Sequence, residues 1–508
     1  MKKEENVCQE VKTIHIKTRL HPRKGFQGGR TETRLLKYDI KTSKYGKGLA
    51  YDDICSLYPT VNCKDFYPVG HPKIITSNFE HFSKYFGLIQ CKVAPPKNLT
   101  NGVLPLHVNG KLMFPLCRTC AENQQIEVCR HSQEERSLYG IWVSEELKQA
   151  EENGYKVLQI FCVHHFERKS KDLFANYIKT FFKHKLLASE RPPEETDEEL
   201  DKFIEEVKKF EGIDLQKEDF KFNPGLRSVC KLCCNCFWGR LGMRDVFTNV
   251  DFVREVCELH AIANNSTKEI STVRFVTPHV VAVLSKNKSL DTVNFTNNTN
   301  VYLAVFTTAY ARIRLYNLIK KVEDRFVYCD TDSVFYEISS DGSKNLKTGK
   351  FMGDLTSELK KDEVITEFVS GGPKVYAYKT NQGNCVVKIK GFQLCKANSA
   401  AFSFENLKNI ISTYVAKNID LISNRVKHKP VDGSIRQTIF NNSHQVCPTK
   451  SSAVATDDAI SSYNPNRIKR SLTWEILRSA EQKIYTFNFD KRVVLGDFHA
   501  VPFGFVGE

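Results

Sequence analysis

Two carboxylates one residue apart, between two apolar runs, constrain this chain more than any other feature. The stretch reads RFVYCDTDSVFY. Phe326–Cys329 and Ser333–Tyr336 are rich in aromatic and β-branched residues, which strands favour. Asp330, Thr331 and Asp332 lie between them and suit a tight turn. We therefore predict a β-hairpin whose buried base holds both acids in a fixed place.

The two acids allow two interpretations. Strand alternation would direct Asp330 and Asp332 to the same side. Nearby carboxylates repel unless a cation neutralises them or one of them holds a proton. The segment is then either an aspartate-rich surface turn or a site for a hard cation such as Mg²⁺, which proteins hold with one or two carboxylates plus phosphates.

Composition excludes some classes of protein. The chain has 508 residues, enough for several domains, and 41% of them are hydrophobic, as in soluble globular proteins. The N-terminal sequence MKKEENVCQE lacks the apolar segment of a secretory signal, and no uncharged apolar run is long enough to span a bilayer. We therefore expect a protein that is neither secreted nor in a membrane.

Charge and cysteine content point to partners. The formal net charge is +15 and the isoelectric point is about 9.0, which favours a polyanionic partner, although the excess is spread along the chain. The 17 cysteines are an odd number in a long chain without a signal. We interpret them as reduced thiols, some of which bind metal.

Several elements can be predicted from pattern. In ERPPEETDEELDKFIEEVKKFEG, Thr196 and Glu199 form a capping-box pattern ahead of a charged surface helix. The stretch NVYLAVFTTAYARIRLYNLIKK predicts a long helix with one core face, and QKIYTFNFDKRVVL predicts a pair of strands. The core face of the long helix comprises Tyr302, Phe306, Ala309, Ile313 and Tyr316.

A third acid lies far upstream in LAYDDICSLYPTVN. Alone, Asp53 reads as a turn residue. Together with Asp330 and Asp332 it could complete a site for two divalent ions about 4 Å apart, which stabilise the attacking and leaving oxygens of phosphoryl transfer. Tyr58 is either a core aromatic residue or a rigid ring that packs against a sugar.

A basic stripe marks the segment NPGLRSVCKLCCNCFWGRLG. Arg227, Lys231 and Asn235 lie four residues apart on one helical face. The stripe is either a solvated surface or a triphosphate site, with Lys231 as a point charge and Arg227 as a forked donor. Gly239 would allow close backbone approach or end the helix.

Together, the three segments resemble the family B DNA polymerases in order and in residue pattern. DICSLYP resembles the first palm motif, KLCCNCFWG the fingers motif and YCDTDS the second palm motif. GGPKVYAYK resembles the Lys-x-Tyr motif that grips the primer end, and FQGGRTE the Tyr-x-Gly-Gly template loop. Phe-Trp-Gly in the fingers, MFPLCRTCAE and FTTAYARIRLY resemble the protein-primed branch, especially polymerases of Polinton (Maverick) DNA transposons.

The resemblance implies an α+β, right-hand polymerase fold with an antiparallel palm sheet, helical fingers and a thumb. It implies seven segments: 1–34, a stub with the template loop; 35–60, palm; 61–210, an insertion with the candidate zinc site; 211–243, fingers; 244–300, a second insertion; 301–400, palm; and 401–508, thumb.

The resemblance also implies an activity, DNA-directed DNA synthesis, and a set of residue roles. Its partners would be primer–template DNA, dNTPs and a terminal priming protein, and its location the nucleus if the host is eukaryotic. Asp53 and Asp332 would hold two Mg²⁺ ions, with Asp330 nearby and the carbonyl of Ile54 as a further ligand. Tyr58, which excludes a 2′-hydroxyl, would bind the nucleotide together with Arg227, Lys231 and Asn235. The residues implied to contact primer or template are Gly28, Gly29, Arg30, Gly239, Thr331, Lys374 and Tyr376.

The chain departs from the family pattern in several places. Cys236 stands where the family has Ser, Trp238 where it has Tyr, and Phe26 where the template loop has Tyr. None of these changes removes a metal ligand. Only about two dozen residues precede the template loop, where relatives carry an exonuclease domain of at least ~50 residues. We therefore expect no proofreading, and expect Glu4, Glu5 and Glu10 to stay solvated.

Two groups of cysteines have different interpretations. In CRTCAENQQIEVCRH, the pairs Cys117-x-x-Cys120 and Cys129-x-His131 have the spacing of a structural, tetrahedral zinc site, with free thiols as the alternative. The second group, on the predicted fingers helix, we interpret as packing residues: Cys230, Cys233, Cys234 and Cys236.

Three other functions stay open. A reverse transcriptase or RNA polymerase shares palm chemistry but usually has adjacent acids in the hairpin, whereas Thr331 separates them here. A domesticated, non-catalytic DNA-binding protein would not need all three acids. A metal-dependent nuclease would not need the stripe of Arg227, Lys231 and Asn235.

Overall fold

A computed structural model of the protein describes residues 20–191, 196–244, 248–287, 299–339, 342, 345–390, 402–425, 451–455, 474–478 and 489–507. Within these residues the chain mixes helices with sheets in which the named strands pair antiparallel, as the α+β prediction requires. No helix in this part of the chain is long and apolar enough to cross a bilayer.

The helices carry the following bounds. They are α1 (Leu57–Lys64), α2 (Arg118–Glu122), α3 (Gln133–Arg136), α4 (Ser144–Glu152), α5 (Ala175–Leu187), α6 (Asp197–Glu211), α7 (Pro224–Leu241), α8 (Val256–Ala263), α9 (Val301–Val322) and α10 (Phe404–Arg425). Short 3-10 helices cover Pro22–Gly25, Phe82–Lys84, Lys217–Asp219 and Glu323–Arg325.

The strands of the first half are β1 (Thr31–Thr33), β2 (Lys37–Asp39), β3 (Leu49–Ile54), β4 (Tyr67–Val69), β5 (Lys73–Ile75), β6 (Gly87–Ala94), β7 (Leu106–Val108), β8 (Lys111–Met113), β9 (Leu138–Val143), β10 (Lys156–His165), β11 (Arg168–Ser170) and β12 (Asn249–Val253). Those of the second half are β13 (Lys268–Thr277), β14 (Val280–Asn287), β15 (Phe326–Asp330), β16 (Ser333–Glu337), β17 (Leu355–Ser357), β18 (Ile365–Gly372), β19 (Val375–Thr380), β20 (Cys385–Ile389), β21 (Ser451–Ala455), β22 (Trp474–Arg478), β23 (Val493–Val494) and β24 (Ala500–Val501).

The largest sheet contains the predicted hairpin. Its strands run β1-β15-β16-β3-β18-β19-β20, with β17 beside β3 and β2 beside β18. The hairpin is confirmed: β15 and β16 pair antiparallel and each extends one residue beyond its predicted end, so the turn consists of Thr331 and Asp332.

Both faces of the hairpin are buried, which explains its long apolar runs. On one face Cys329 and Val334 pack against Ile319 and other residues of α9. On the other face Tyr328 and Phe335 lie in an aromatic cluster. Because alternate residues enter different cores, the hairpin cannot slip in register without exposing one of them, and its turn is held in a fixed place.

The predicted long helix is confirmed as α9. Its N-cap is Asn300, whose side chain accepts a hydrogen bond from the backbone of Leu303 at 3.3 Å. Phe306, Ala309 and Tyr316 of the predicted core face are buried. The other two, Tyr302 and Ile313, are half-buried.

The predicted capping box is also confirmed. Thr196 and Glu199 cap α6 reciprocally, and Gly212 ends the helix in a left-handed conformation with φ of 62°. The helix is mostly exposed, but Glu211 is buried and accepts a hydrogen bond from the backbone of Met352 at 2.7 Å.

Two smaller sheets and a returning C-terminal segment complete the described chain. One sheet has the order β5-β10-β6-β9 and the other the order β12-β14-β13. Within the predicted strand pair QKIYTFNFDKRVVL, residues 482–488 lie outside the described residues, and Val493–Val494 is a strand. Much of the segment predicted as thumb also lies outside them, whereas residues 489–507 pack against β1 and against the predicted first insertion.

Candidate active site

The structure brings the three predicted acids together at the tip of the hairpin. In the ladder between β16 and β3, Ser333 lies opposite Asp53, and in the hairpin it lies opposite Asp330. The backbone N–H of Ile54 donates to the carbonyl of Asp332 at 2.7 Å, which ties the turn to β3. Acids that are 277 or more positions apart in sequence are therefore neighbours through backbone pairing.

The electrostatics of Asp53 show that negative charge accumulates here. Burial, and then the charges of Asp332 and Glu358, raise the pKa of Asp53 to about 7, while Lys231 and Lys388 oppose the shift. Burial and the charge of Asp330 also raise the pKa of Asp332. Such carboxylates favour either protons or a divalent cation, so the donor set fits Mg²⁺.

Asp330 differs from the other two acids because it already has partners. Lys374 Nζ lies 2.8 Å from its Oδ1. The hydroxyls of Thr31 and Thr331 donate to the same oxygen at 3.0 and 3.1 Å. The carboxylate of Asp330 is thus held by three partners in the protein, whereas the charge of Asp53 is opposed by its surroundings, which raise its pKa.

A fourth acid, Glu358, was not predicted from the sequence. It directly follows β17, and its backbone N–H donates to the carbonyl of Tyr51 at 2.9 Å. Its charge raises the pKa values of Asp53 and Asp332. The surrounding TSELKKDEV has no apolar periodicity and no motif; only the pairing of β17 with β3 places Glu358 near the site.

Asp52 faces away from these acids. It is buried, and the hydroxyl of Tyr336 donates to its Oδ2 at 2.9 Å. Because neighbouring strand residues point to opposite faces, Asp52 belongs to the core behind the sheet. It can therefore serve as a matched control for Asp53.

The basic stripe lies on α7, as predicted. Asn223 caps the helix by accepting from the backbone of Leu226 at 2.9 Å. Arg227 and Lys231 are exposed and Asn235 is half-buried. Lys231 is near enough to lower the pKa of Asp53, so this part of the stripe lies near the acids.

A further cation, Lys185 of α5, was not predicted. Its Nζ donates to the hydroxyl of Ser56 at 3.3 Å. Burial lowers its pKa, and the nearby charges of Arg227 and Lys231 act in the same direction. An anion would relieve the repulsion among these three cations.

One of the two alternatives predicted for Gly239 is wrong. The helix runs past Gly239 to Leu241 and is capped by Gly242, and a side chain at Gly239 would meet no atom within 4 Å. Gly239 therefore does not end the helix, and close backbone approach of a ligand at this open position stays a prediction.

The packing interpretation of the α7 cysteines holds for only part of the group. Cys230 and Cys234 are buried and Cys233 is intermediate, but Cys236 is exposed. The exposed thiol lies on a helical face that apolar periodicity alone did not distinguish from the core.

Tyr58 is half-buried and closes one side of the site. Its ring stacks on Trp238 with 4.5 Å between centroids, and Trp238 meets Phe26 edge-on at 6.2 Å. Burial, and then the charge of Asp332, raise the pKa of Tyr58 to about 12. A side chain at Gly29 would come within 3.2 Å of the Tyr58 hydroxyl and 2.9 Å of Thr331, so only glycine fits between them.

The loop before β1 is fixed by hydrogen bonds to its backbone. Arg312 of α9 donates to the carbonyls of Gln27 and Gly28 at 2.7 and 2.8 Å. Arg312 is itself buried against Glu146 at 2.8 Å. The carbonyl of Arg30 accepts from the backbone of Thr331, which is left-handed with φ of 63°, at 2.7 Å. The hydrogen bond between Thr331 and Arg30 therefore fixes the loop and the hairpin turn relative to each other.

The template contact predicted for Arg30 cannot be made by its side chain. Its guanidinium is only 1% exposed, donates to Glu32 and to the carbonyl of Gly102, and lies 4.2 Å from the centre of the Phe114 ring. Because its donors point into the protein, it cannot reach a nucleic acid.

The predicted primer contact of the Tyr376 side chain does not fit its burial either. Tyr376 is 4% exposed and lies among aromatic rings that include Tyr328 and Phe335. Of the Lys-x-Tyr pair, only Lys374 presents a side chain at the surface.

The four predicted zinc ligands converge elsewhere in the structure. Their ligand atoms all lie within 4.8 Å of one another. The Nδ1 of His131 lies 3.5 Å from the sulfur of Cys117, 3.2 Å from that of Cys120 and 3.6 Å from that of Cys129. This set of three thiols and one imidazole fits a tetrahedral zinc ion.

Hydrogen bonds within this cluster favour a thiolate at Cys117, whereas the hydrogen bond with Cys117 and burial raise the pKa of Cys120. Buried Arg136 donates to the sulfur of Cys129 at 3.0 Å. Cys117 caps α2, and the hydrogen bond from Cys120 lowers the pKa of its thiol well below the ordinary value. Thiolates are the form that binds metal.

Comparison with known proteins agrees with the motifs. Residues 3–204 match the family described as DNA polymerase type B, organellar and viral. A probable DNA polymerase of Podospora anserina is 28% identical over 445 residues, which are 80% of this chain and 32% of that protein. A second, from Neurospora intermedia, is 24% identical over 365 residues, 68% of this chain and 31% of the relative. The chain thus spans about a third of the length of these relatives.

Among solved structures, the phi29 DNA polymerase is similar at 16% identity and a TM-score of 0.48. The match covers 76% of this chain and 57% of the phi29 chain. One such structure is a complex with primer–template DNA and incoming nucleotides.

The raised pKa of Asp53 predicts a pH-dependent penalty on stability. The folded state keeps the proton that the unfolded state releases near pH 4, so folding stability falls as pH rises from about 4 through about 7. We expect Asp53→Asn, which cannot ionise, to melt at a higher temperature than the wild type at pH 8 and to differ less at pH 5. Thermal melts in magnesium-free buffer would measure this.

The exposed acid Asp219 supplies a control for that comparison. Asp219→Asn should follow the wild type at both pH values. An Asp53→Asn protein whose melting temperature tracks the wild type across the range would contradict the assigned charge state.

Proposed function

We propose that this chain, a relative of the organellar and viral type B DNA polymerases, catalyses template-directed DNA synthesis, in which a primer 3′-hydroxyl attacks the α-phosphate of a dNTP and pyrophosphate leaves. The observation that carries the proposal is the convergence of Asp53, Asp330 and Asp332 beside the cationic stripe of α7. A nuclease would use the acids but has no need of the stripe.

The residues suit two Mg²⁺ ions. Asp53 and Asp332 would hold both, with Asp330 nearby, the carbonyl of Ile54 as a further ligand and Glu358 adding negative charge. Bound there, the metal ions stabilise the attacking and leaving oxygens of phosphoryl transfer.

The remaining side chains bind and orient the substrates. Arg227 and Lys231, supported by Lys185, would bind the triphosphate. Asn235 would contact the incoming nucleotide, and the ring of Tyr58, held by Trp238, would exclude a 2′-hydroxyl.

Other groups would hold the DNA. Lys374, beside Asp330, would hold the primer end. Gly28 and Gly29 have no side chains and would leave room for the template strand. Arg312 fixes the position of their loop by a hydrogen bond to its backbone. Thr331 lies against Gly29 and would keep the turn in contact with that loop.

The likeness to protein-primed polymerases suggests a broader setting. On this proposal the large sheet is the palm, α7 belongs to the fingers, and α10 begins the thumb. A terminal priming protein as partner and a mobile DNA element such as a Polinton as the source also belong to this proposal, supported by the sequence motifs named above. A non-catalytic DNA-binding derivative of the fold is the alternative, and a folded wild-type chain that binds primer–template DNA but extends no primer would favour it.

The first test removes single charges at the acids. We expect Asp332→Asn to lower nucleotide incorporation at least about a hundredfold, since an amide does not supply the charge that anchors Mg²⁺ and each ~1.4 kcal/mol is a tenfold change in rate. Asp53→Asn should behave in the same way. Primer extension by folded protein would measure both.

Asp52→Asn is the matched control. Its amide oxygen can still accept from Tyr336, so activity should remain. Near-normal extension by Asp332→Asn or Asp53→Asn would contradict the proposal that these two acids hold Mg²⁺.

A second test concerns sugar selection. Tyr58→Val should increase ribonucleotide incorporation relative to deoxyribonucleotide by about tenfold or more, because a clash worth ~1.4 kcal/mol is lost. Tyr58→Phe keeps the ring and should keep the ratio. Competing single-nucleotide incorporations would measure it, and an unchanged ratio in active Tyr58→Val would show that the ring does not select the sugar.

We further propose that Cys117, Cys120, Cys129 and His131 hold one structural zinc ion. Metal analysis of protein purified without chelator should find about one zinc per chain, and the Cys117→Ser, Cys120→Ser double variant should lose it. The Cys236→Ser, Cys257→Ser double variant, which changes two exposed thiols, should retain it. Full zinc content in the first double variant would refute the site.

A further inference from the structure

Residues 489–507, the end of the segment predicted as thumb, return to the edge of the largest sheet. The backbone of Ala500 donates to the carbonyl of Arg34 at 2.6 Å, and that of Leu36 donates to the carbonyl of Phe498 at 2.9 Å. The segment therefore lies along the chain that follows β1. It brings Lys491 and Arg492 beside β1, the strand that pairs with β15 of the hairpin.

From this placement we infer that Lys491 binds a backbone phosphate of the primer–template duplex beside the primer end, and that the C-terminal segment serves to place it there. The inference rests on the proposed function and adds a DNA contact that none of the polymerase motifs contains.

The position of Lys491 is the first argument. Its Nζ lies 3.5 Å from the carbonyl of Thr31. Thr31 is the register partner of Asp330 and donates to its carboxylate at 3.0 Å. Lys374, the proposed primer contact, holds the same carboxylate at 2.8 Å. Lys491 and Lys374 therefore approach the Asp330 end of the hairpin from different elements.

The balance of charge is the second argument. Arg30 and Arg492 are both buried, and both face Glu32, at 2.9 Å and 3.5 Å. Asp330 is paired with Lys374. Among the described residues, the hydrogen bond of Lys491 is to a carbonyl, and the two carboxylates whose charges act on its pKa, Glu32 and Asp330, are already paired with other cations.

The surroundings of Lys491 make this excess charge significant. Burial lowers its pKa and the charge of Lys390 acts in the same direction, while the charges of Glu32 and Asp330 oppose the shift. Lys390 donates through its backbone to the carbonyl of Lys374 at 3.0 Å. The ammonium groups of Lys390 and Lys491 thus repel each other, and an ammonium that has lost water gains most from a phosphate oxygen.

The anchoring of the segment is the third argument. Its far end is fixed to the cysteine cluster: the backbone of Leu116 donates to the carbonyl of Phe503 at 2.8 Å, and Arg136 bridges the carbonyl of Gly504 and the sulfur of Cys129, each at 3.0 Å. Gly504 packs so closely that a side chain would lie 2.2 Å from the Cβ of Cys117. Because the segment is already ordered in the protein without DNA, binding DNA does not have to order it. The entropic cost of placing Lys491 against a phosphate is therefore small.

The test measures the affinity of the full chain for a fluorescent primer–template duplex by anisotropy, between ~50 and ~200 mM salt. We expect Lys491→Ala and Lys491→Gln to raise Kd about tenfold and to reduce the slope of log K against log salt by about one, as for the loss of one phosphate contact. Lys491→Arg should keep both values. Lys47→Ala, at an exposed lysine, controls for the loss of one charge.

The salt slope separates binding from folding, because a smaller folded fraction leaves the slope unchanged. An unchanged Kd, or a raised Kd with the wild-type slope, would overturn the inference. A raised KM for dNTP with unaltered DNA binding would also overturn it, since the anion would then be the triphosphate. If the wild type binds DNA with this slope but does not extend a primer, the proposed function fails and the phosphate contact stands.

Discussion

Repulsion among carboxylates at the tip of one hairpin is the constraint on which the rest of the structure depends. Asp53 and Asp332 are half-enclosed, and both pKa values are raised. Holding these charges together is unfavourable without a cation. The fold offsets this cost with backbone bonds, from Ile54 to Asp332 and from Thr331 to Arg30, and with two cores that fix the hairpin from both faces.

The same constraint explains features far from the acids. Arg312, buried against Glu146, holds the loop at Gly28 rather than contacting a ligand. Arg30 and Arg492 neutralise Glu32 behind β1. These buried ion pairs lie beneath the site and support its geometry, because removing one partner would leave an uncompensated charge in the core.

Much of the site could be predicted from sequence because its parts are local patterns. The hairpin, α9, the capping box of Thr196 and the spacing of Cys117 and Cys120 each depend on residues close in the chain. The order of the motifs then indicated which distant segments meet.

What could not be predicted depends on the orientation of side chains and on nonlocal pairing. Arg30 stands in a template motif, but its side chain turns into the core, and a motif does not specify that direction. Glu358 and Lys185 reach the site only because β17 pairs with β3 and α5 packs beside α7. Such proximity leaves no periodic signal in the sequence.

The most direct test of this account is primer extension by the purified wild-type chain on a defined template. With Mg²⁺ and all four dNTPs, the account predicts products whose sequence copies the template, and no extension when Mg²⁺ is left out. A folded chain that binds the primer–template but adds no nucleotide with Mg²⁺ present would contradict it.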